Sequence, residues 1–326
     1  MSNFGRILVG VDPRATSLAA AQVGARLAGQ LGAALELFSP VYNPHVSLAH
    51  FATRESMEHA RDSLCARNVE RLLAAAPELG FAGHVEAHAV WDHPFEEALI
   101  RRVLERAANL LVVALPGQDD PRGGALSAAH WQLVRHCPSP VLLTHGKPWR
   151  DSPVIVASID PTQRHGRREE LDAGILRLAG QFAAGAGGTL HAFHAWQRKL
   201  RAFVGEAEHP LMPDFADPET EQRHREAVYA ALAAVDASPA RVALVEGRPE
   251  IELPEYCSET AADLVVMGAI ARNPFGRVFI GSTAERVLDR LPCDLLVVKP
   301  DDFQTAIPRE RWPRDDGATI LGVPGI

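Results

Sequence analysis

The sequence predicts an α/β protein of two tandem domains, each a doubly wound, five-stranded parallel sheet. Three observations predict this fold class. The two halves of the chain repeat one another, apolar runs alternate with helical patterns in both halves, and the 326 residues suit two domains of about 150 residues each. Because the units of solenoids are far shorter, a repeat of this length indicates a duplicated domain.

The repeat is visible at the beginning and at the end of each half. Matching segments occupy residues 7–13 and 154–161, residues 110–114 and 264–268, and residues 138–143 and 292–297. Asp12 and Asp160 lie 148 residues apart at the front of the repeat. Leu110 and Leu264 lie 154 residues apart at the rear. The second half therefore carries a net insertion of six residues, the difference between these two offsets.

Strands and helices alternate in the first half. The strands are apolar runs, expected at residues 7–11, 34–38, 85–90, 110–114 and 141–144. The helices carry apolar residues at helical spacing, expected at residues 16–31, 54–75, 95–107 and 126–136. Continuous apolar strands separated by helices are typical of a parallel sheet that is covered on both faces.

The second half repeats this alternation. Its strands are expected at residues 154–159, 189–194, 241–246, 264–268 and 295–298, and its helices at residues 169–184, 219–235, 250–261 and 282–290. A Pro-bounded linker separates the halves, which predicts domains at residues 1–147 and 152–307 and a tail at residues 308–326. Because ligands of doubly wound sheets bind beyond the carboxyl ends of the strands, functional residues are expected at that edge.

Composition and charge argue against several classes of protein. The formal net charge of -8 argues against non-specific nucleic-acid binding, which depends on an excess of Lys and Arg. No apolar window is long enough to span a membrane, and the start lacks the pattern of a signal peptide. The four cysteines show no CxxC spacing and are expected to be reduced thiols. We therefore expect a cytoplasmic protein with no nucleic-acid partner and no membrane span.

A glycine pattern after the fourth strand of the second half points to phosphate chemistry. It reads Gly268-x2-Ala271-x9-Gly281-Ser282-Thr283 and leads into a helical run. Gly268 ends a strand where a Cβ would obstruct the turn, and Gly281 lets a phosphate approach the backbone. The amides of Ser282 and Thr283 open a helix, where unpaired N–H groups and the helix dipole favour an anion.

Asp160 follows the first strand of the second half and is expected at the same edge of the sheet. Its carboxylate suits a ribose hydroxyl, or a divalent cation bound through oxygen. Together with the glycine pattern it predicts a site for a nucleotide or another phosphate-bearing ligand in the second domain. The alternative interpretation is a Gly-rich turn followed by a Ser/Thr helix cap.

The first half has lost the same pattern. Subtraction of 154 from the motif positions gives Ala114, Gly117, Ser127, Ala128 and Ala129. The outer glycines and both hydroxyl side chains are thus absent from the corresponding positions. We expect the first domain to bind no nucleotide in this manner, even though an aspartate also follows its first strand.

The strand-ending aspartate and the glycine pattern resemble those of the universal stress protein family, in which the pattern is Gly-x2-Gly-x9-Gly-Ser/Thr. Ala271 departs from that pattern at the second glycine. Further similar segments lie at residues 90–94, 130–141, 281–287 and 293–301, and the resemblance extends from residue 6 to about residue 307.

The resemblance implies a fold, a ligand and a mode of assembly. The implied fold is that of the universal stress proteins, which is adenine nucleotide alpha hydrolase-like, and the implied cofactor is ATP with Mg. Backbone at the end of the second strand contacts the base in nucleotide-binding members, which makes Phe193, His194 and Ala195 candidates for a base or apolar contact. Domains of this family pair along sheet edges, so strands 141–144 and 295–298 are expected to form an internal pseudo-dimer, and a homodimer is also possible.

The sequence contains no recognisable catalytic arrangement. No Ser-His-Asp arrangement, Walker lysine or catalytic carboxylate pair is legible, and the 14 histidines show no metal-ligand spacing. We therefore expect a binding protein with no catalytic residues and no metal site. The resemblance implies a role in the stress response and leaves slow ATP hydrolysis open.

Two alternatives to a nucleotide-binding protein stay open. The segment 196–218 is expected to form a loop or flap, whose apolar residues would cover a lipid-like ligand: Phe203, Val204, Leu211, Met212 and Phe215. The second alternative is an interaction scaffold that holds no ligand.

Overall fold

The computed structural model describes residues 4–15, 17–47, 50–115, 126–162, 167–197, 218–269, 287 and 290–310. These residues form two compact units, one of residues 4–147 with 304–310 and the other of residues 148–303. Each unit is an α/β domain built on parallel strands, which confirms the predicted fold class. Within the described residues, no helix has the length and apolar character needed to cross a membrane.

The first domain is a five-stranded sheet in the order β3-β2-β1-β4-β5. Its strands are β1 (Arg6–Gly10), β2 (Ala34–Val41), β3 (Val85–Trp91), β4 (Leu110–Ala114) and β5 (Val141–Thr144). Its helices are α1 (Ala19–Leu31), α2 (Arg54–Ala75), α3 (Phe95–Arg106) and α4 (Ala128–His136), with a 3-10 turn at Ala76–Leu79. All the strand pairs within this sheet are parallel, as the continuous apolar runs predicted.

The second domain repeats this arrangement in the order β10-β9-β6-β7-β8. Its strands are β6 (Val154–Ser158), β7 (Thr189–Trp196), β8 (Arg241–Glu246), β9 (Leu264–Gly268) and β10 (Asp294–Val298). Its helices are α5 (Arg167–Gly185), α6 (Pro218–Ala234) and α7 (Pro249–Glu259). The helix expected at residues 282–290 lies almost entirely outside the described residues.

The elements follow from local sequence, with small differences at their ends. Strands β2 and β7 run longer than expected, because their last residues pair with the neighbouring strands up to Trp91 and Glu246. Helix α1 begins at Ala19, three residues later than expected, since a turn stabilised by the side chain of Asp12 precedes it. The centres of all strands but β3 and β8 are buried, so burial of apolar side chains on both faces holds the sheets together.

A buried ionic network crosses one face of the first sheet, and the sequence analysis did not identify it. Glu36 of β2 is fully buried and accepts hydrogen bonds from three guanidinium groups. The distance from its Oε1 to Nε of Arg102 is 2.6 Å, and its Oε2 lies 3.1 Å from Nη1 of Arg6 and 3.0 Å from Nε of Arg106. The carboxylate of Glu86 pairs with Arg6 and Arg106, and that of Glu105 pairs with Arg102, so each of the three arginines has two carboxylate partners.

This network gives a prediction about stability. Glu36→Gln should lower the free energy of unfolding by about 3–5 kcal/mol, because three guanidinium groups would then surround a buried side chain that carries no charge. Glu105 also pairs with Arg102 but is 65% exposed, so Glu105→Gln should change that free energy by less than about 1 kcal/mol. Urea unfolding of both variants measures the difference, and equal small losses would contradict a stabilising role for the buried network.

Candidate functional site

The candidate site lies at the carboxyl edge of the second sheet, between β6 and β9. From β6 the chain winds outward to β7 and β8, and it then returns to place β9 and β10 on the other side. Ser158 pairs with Met267, so the ends of the two strands lie side by side. This is the topological switch point, the place where doubly wound sheets bind their ligands.

Asp160 lies two residues beyond β6, in a turn that other side chains hold in place. Its backbone N–H donates a hydrogen bond to Oδ1 of Asp172 on α5, at 3.2 Å. Its own Oδ1 accepts a hydrogen bond from the hydroxyl of Thr162, at 3.1 Å. The carboxylate is therefore fixed at the edge of the sheet where the sequence analysis expected it.

Gly268 ends β9 beside this turn and is needed first for packing. A Cβ built on this residue would lie 2.6 Å from Cδ2 of Leu171 and 3.2 Å from Cδ1 of Ile175, both on α5. The obstruction that the sequence analysis inferred at Gly268 is therefore the first turns of α5. The missing side chain lets that helix approach the switch point closely.

The remaining residues of the glycine pattern stay predictions. Ala271, Gly281, Ser282 and Thr283 lie outside the described residues, as does most of the 196–218 segment. The part of the site that the structure describes consists of the ends of β6, β7 and β9 together with the helices packed against them.

The three candidates at the end of β7 are packed to different degrees. Phe193 is buried against Tyr256 of α7, with ring centroids 5.2 Å apart, and its carbonyl accepts a hydrogen bond from the amide of Ile159. His194 is 2% exposed and points to the opposite face, whereas Ala195 is partly exposed. Their roles in ligand contact remain predictions.

A histidine pair that the sequence analysis missed lies directly behind Asp160. Nδ1 of His194 is 3.0 Å from the carbonyl oxygen of Ile159, and its Nε2 is 2.8 Å from Nδ1 of His224 on α6. The two imidazole rings stack with centroids 5.0 Å apart, and the ring of Trp196 stacks on His224 at 5.3 Å. The sequence signal for this pair was that His194 and Trp196 share one face of the strand. The contact between His194 and His224, thirty residues later, depends on the tertiary fold and could not be predicted from spacing.

The hydrogen bonds define the proton positions of the neutral pair. A carbonyl oxygen only accepts, so Nδ1 of His194 carries a hydrogen, and its Nε2 must accept from Nδ1 of His224. Burial is the main influence on His194 and lowers its pKa. It outweighs the hydrogen bond to Ile159 and the charge of Asp160, which act to raise that pKa. Burial thus favours the neutral form of the His194 ring.

At the corresponding edge of the first domain, side chains of that domain form hydrogen bonds with the backbone. Ser127 caps α4: its hydroxyl accepts from the amide of His130, while Nδ1 of His130 lies 3.2 Å from the amide of Ser127. Nε2 of the same histidine donates to the carbonyl of Ala114 at the end of β4, at 2.9 Å. The start of this helix, where the second domain has its glycine pattern, thus holds a capping box.

Asp12, the counterpart of Asp160, also serves the local fold. Its Oδ1 accepts a hydrogen bond from the amide of Arg14 at 2.8 Å, which stabilises the turn after β1. The guanidinium of Arg71 on α2 donates to the carbonyl oxygens of Asp12 and Ala15, at 3.3 Å and 2.8 Å. The expectation that the first domain binds no nucleotide in this manner stays a prediction.

Among the described residues, no group of three or more His, Cys, Asp or Glu side chains is arranged to hold a metal ion. The hydrogen bonds of the histidine pair join the carbonyl of Ile159 to α6.

Comparison with known proteins covers both halves of the chain. The model of the universal stress protein family matches residues 3–145 and 168–299. Universal stress protein E of Photorhabdus laumondii is 25% identical over 317 residues, which are 94% of this chain and 98% of the relative. Universal stress protein E of Escherichia coli (strain K12) is 24% identical over 314 residues, with the same coverage of 94% and 98%.

Solved structures show the same architecture. A functionally unknown protein from Pseudomonas aeruginosa PAO1 is 26% identical, with a TM-score of 0.69, and the match covers 92% of this chain and 94% of that protein. A universal stress protein from Archaeoglobus fulgidus has a TM-score of 0.59 at 16% identity, over 92% of this chain and 99% of its own, and supports the fold alone.

The family match falls on both halves of the duplication, and the relatives align along nearly the whole chain. The chain belongs to the universal stress protein family and contains two tandem domains of that family.

Proposed function

We propose that this universal stress protein is a cytoplasmic stress-response protein whose second domain binds an ATP-like nucleotide. The observation that carries the proposal is the placement of Asp160 beside Gly268 at the switch point of the second sheet. The carboxylate of Asp160 would accept a hydrogen bond from the ribose. The phosphates, with Mg, would lie on the helix that begins at Gly281, Ser282 and Thr283.

The difference between the two domains supports this proposal. In the first domain, the capping box of Ser127 and His130 already supplies acceptors at the start of the corresponding helix. In the second domain, the matching positions carry glycine and two hydroxyl residues, which suit a phosphate. The donor set therefore fits a nucleotide in the second domain, and the first domain would support structure or partner contacts.

The proposal predicts a ligand effect on thermal stability. Mg-ATP should raise the unfolding temperature of the second domain, because a ligand that binds only the folded state stabilises it. Gly281→Trp should abolish the rise, since its side chain fills the place of a phosphate. Ser127→Trp, at the matching position of the first domain, should lower stability by the lost cap yet keep the ligand-induced rise.

Differential scanning fluorimetry measures these shifts, with native mass spectrometry of the purified protein beside it. If Mg-ATP raised the unfolding temperature of Gly281→Trp as much as that of wild type, the result would contradict the proposed phosphate position. No rise, together with a released apolar molecule, would favour a lipid-like ligand. No rise and no bound molecule would favour an interaction scaffold.

Asp160 gives a second test. Asp160→Asn keeps an acceptor oxygen but loses the charge, so Mg-ATP should bind about fivefold more weakly, since hydrogen bonds to charged groups are about 1 kcal/mol stronger. Asp12→Asn, the matching change in the first domain, should leave the affinity unchanged. Calorimetric titration measures both affinities, and equal affinities in the two variants would argue against a ligand contact by Asp160.

A substitution at Gly268 tests the packing role of this residue separately from ligand binding. Gly268→Ala should lower the free energy of unfolding by about 1–3 kcal/mol, because the new methyl group overlaps Leu171. Chemical unfolding without ligand measures the loss. An unchanged free energy would mean that α5 moves away from β9 without cost.

A further inference from the structure

The histidine pair of the second domain connects α6 with the peptide that carries Asp160. The link runs from the ring of His224 through the ring of His194 to the carbonyl of Ile159, over contacts of 2.8 Å and 3.0 Å. Because Ile159 directly precedes Asp160, a change at the helix end of this link acts on the backbone of the proposed ligand site.

In this arrangement the pair accommodates one added proton. Both ring nitrogens of His194 are already engaged, one donating to Ile159 and the other accepting from His224. One hydrogen lies between Nε2 of His194 and Nδ1 of His224, so the pair takes up a further proton at the second ring nitrogen of His224. A proton that the intact pair takes up is therefore carried by His224, the less buried ring.

The surroundings of His224 favour a positive charge there. The ring of Trp196 stacks on it at 5.3 Å, and an aromatic face attracts a cation. Arg223 and Arg225 flank His224 along α6, where their guanidinium groups bond to Thr220 and Glu221. Among the described residues, the charge that acts on His194 is that of Asp160 after β6, and Asp172 on α5 bonds to the amide of Asp160. An imidazolium at His224 would offset the repulsion between these carboxylates and an anionic ligand at the same edge.

The first domain, which has lost the phosphate pattern, also lacks this pair. Phe38 and Phe193 occupy matching places, since each pairs with the last residue of the central strand. Ser39 therefore holds the place of His194 in the first domain, and its buried hydroxyl has no hydrogen-bond partner among the described residues. The histidine pair thus lies in the domain that retains the glycine pattern.

We infer that ligand binding in the second domain is linked to proton uptake by His224, with His194 relaying its state to the Ile159–Asp160 peptide. The inference rests on the proposed function and names the regulation of that same site. A proton taken from solvent would strengthen the binding of an anionic nucleotide, and by reciprocity the bound nucleotide would raise the affinity of the pair for the proton. Affinity would then rise as the pH falls through the histidine range.

Calorimetric titration of the full chain with Mg-ATP tests the linkage. We expect wild type to bind at least about fivefold more tightly near pH 6 than near pH 8, a typical coupling between two sites. In buffers of different ionisation enthalpy, wild type should take up as much as one proton per nucleotide. Because the phosphate also titrates in this range, the informative quantity is the difference from a non-titrating variant.

His224→Gln is that variant, since an amide N–H still donates to His194 but does not titrate. The ratio of its affinities for Mg-ATP at the two pH values should fall to the value that titration of the phosphate alone produces. His59→Gln, an exposed change on α2 of the first domain, should behave as wild type. Histidine-ring NMR of the free wild-type protein should show His194 neutral, with its hydrogen on Nδ1, while His224 titrates.

The outcomes separate the two proposals. Binding of Mg-ATP with the same pH dependence in wild type and in His224→Gln would overturn the linkage and leave the proposed function intact. No binding at either pH would overturn the proposed function and the linkage with it. Proton uptake by wild type is measured without any variant, so poor folding of His224→Gln would not prevent a decision.

Discussion

The pairing of the central strand on both sides is the constraint on which the rest of each domain depends. In the second domain β6 is hydrogen-bonded to β7 and to β9, all parallel, so the carboxyl ends of three strands meet at one edge. That register places Asp160, Gly268 and the end of β7 together although they are far apart in the sequence. The same pairing of β1 with β2 and β4 in the first domain produces a matching edge.

The two edges differ in what satisfies their polar groups. In the first domain, side chains of the domain itself occupy the switch point: Ser127 and His130 cap α4, and Arg71 binds the carbonyls of the turn after β1. In the second domain, the described part of the edge is organised by Asp160, Asp172 and the histidine pair. Duplication thus preserved the sheet, while the groups at its functional edge changed from one domain to the other.

Sequence patterns were sufficient to predict the strands of both sheets, because the formation of a buried strand depends on local composition. The short apolar runs at β4 and β9, bounded by helical patterns, predict buried strands, and residues 110–113 and 264–266 are buried. Asp160 and Gly268 were also placed at the correct edge, since strand ends in a parallel sheet share a side. The sequence did not reveal that Leu171 fills the space over Gly268, because that contact depends on how closely α5 packs.

The same reason explains why the histidine pair and the Glu36 network were missed. Each joins a strand to a helix that follows much later in the chain, and no spacing rule connects them. The self-capped start of α4 has a further consequence for the pair of domains. The amides of Ser127 and His130 are satisfied by the chain itself, so on the proposed function the stability of the first domain would not vary with the supply of a nucleotide at that edge. On the proposed function, mass action ties the second domain to nucleotide concentration, so one polypeptide would join a constant half to a half whose stability follows the metabolic state of the cell.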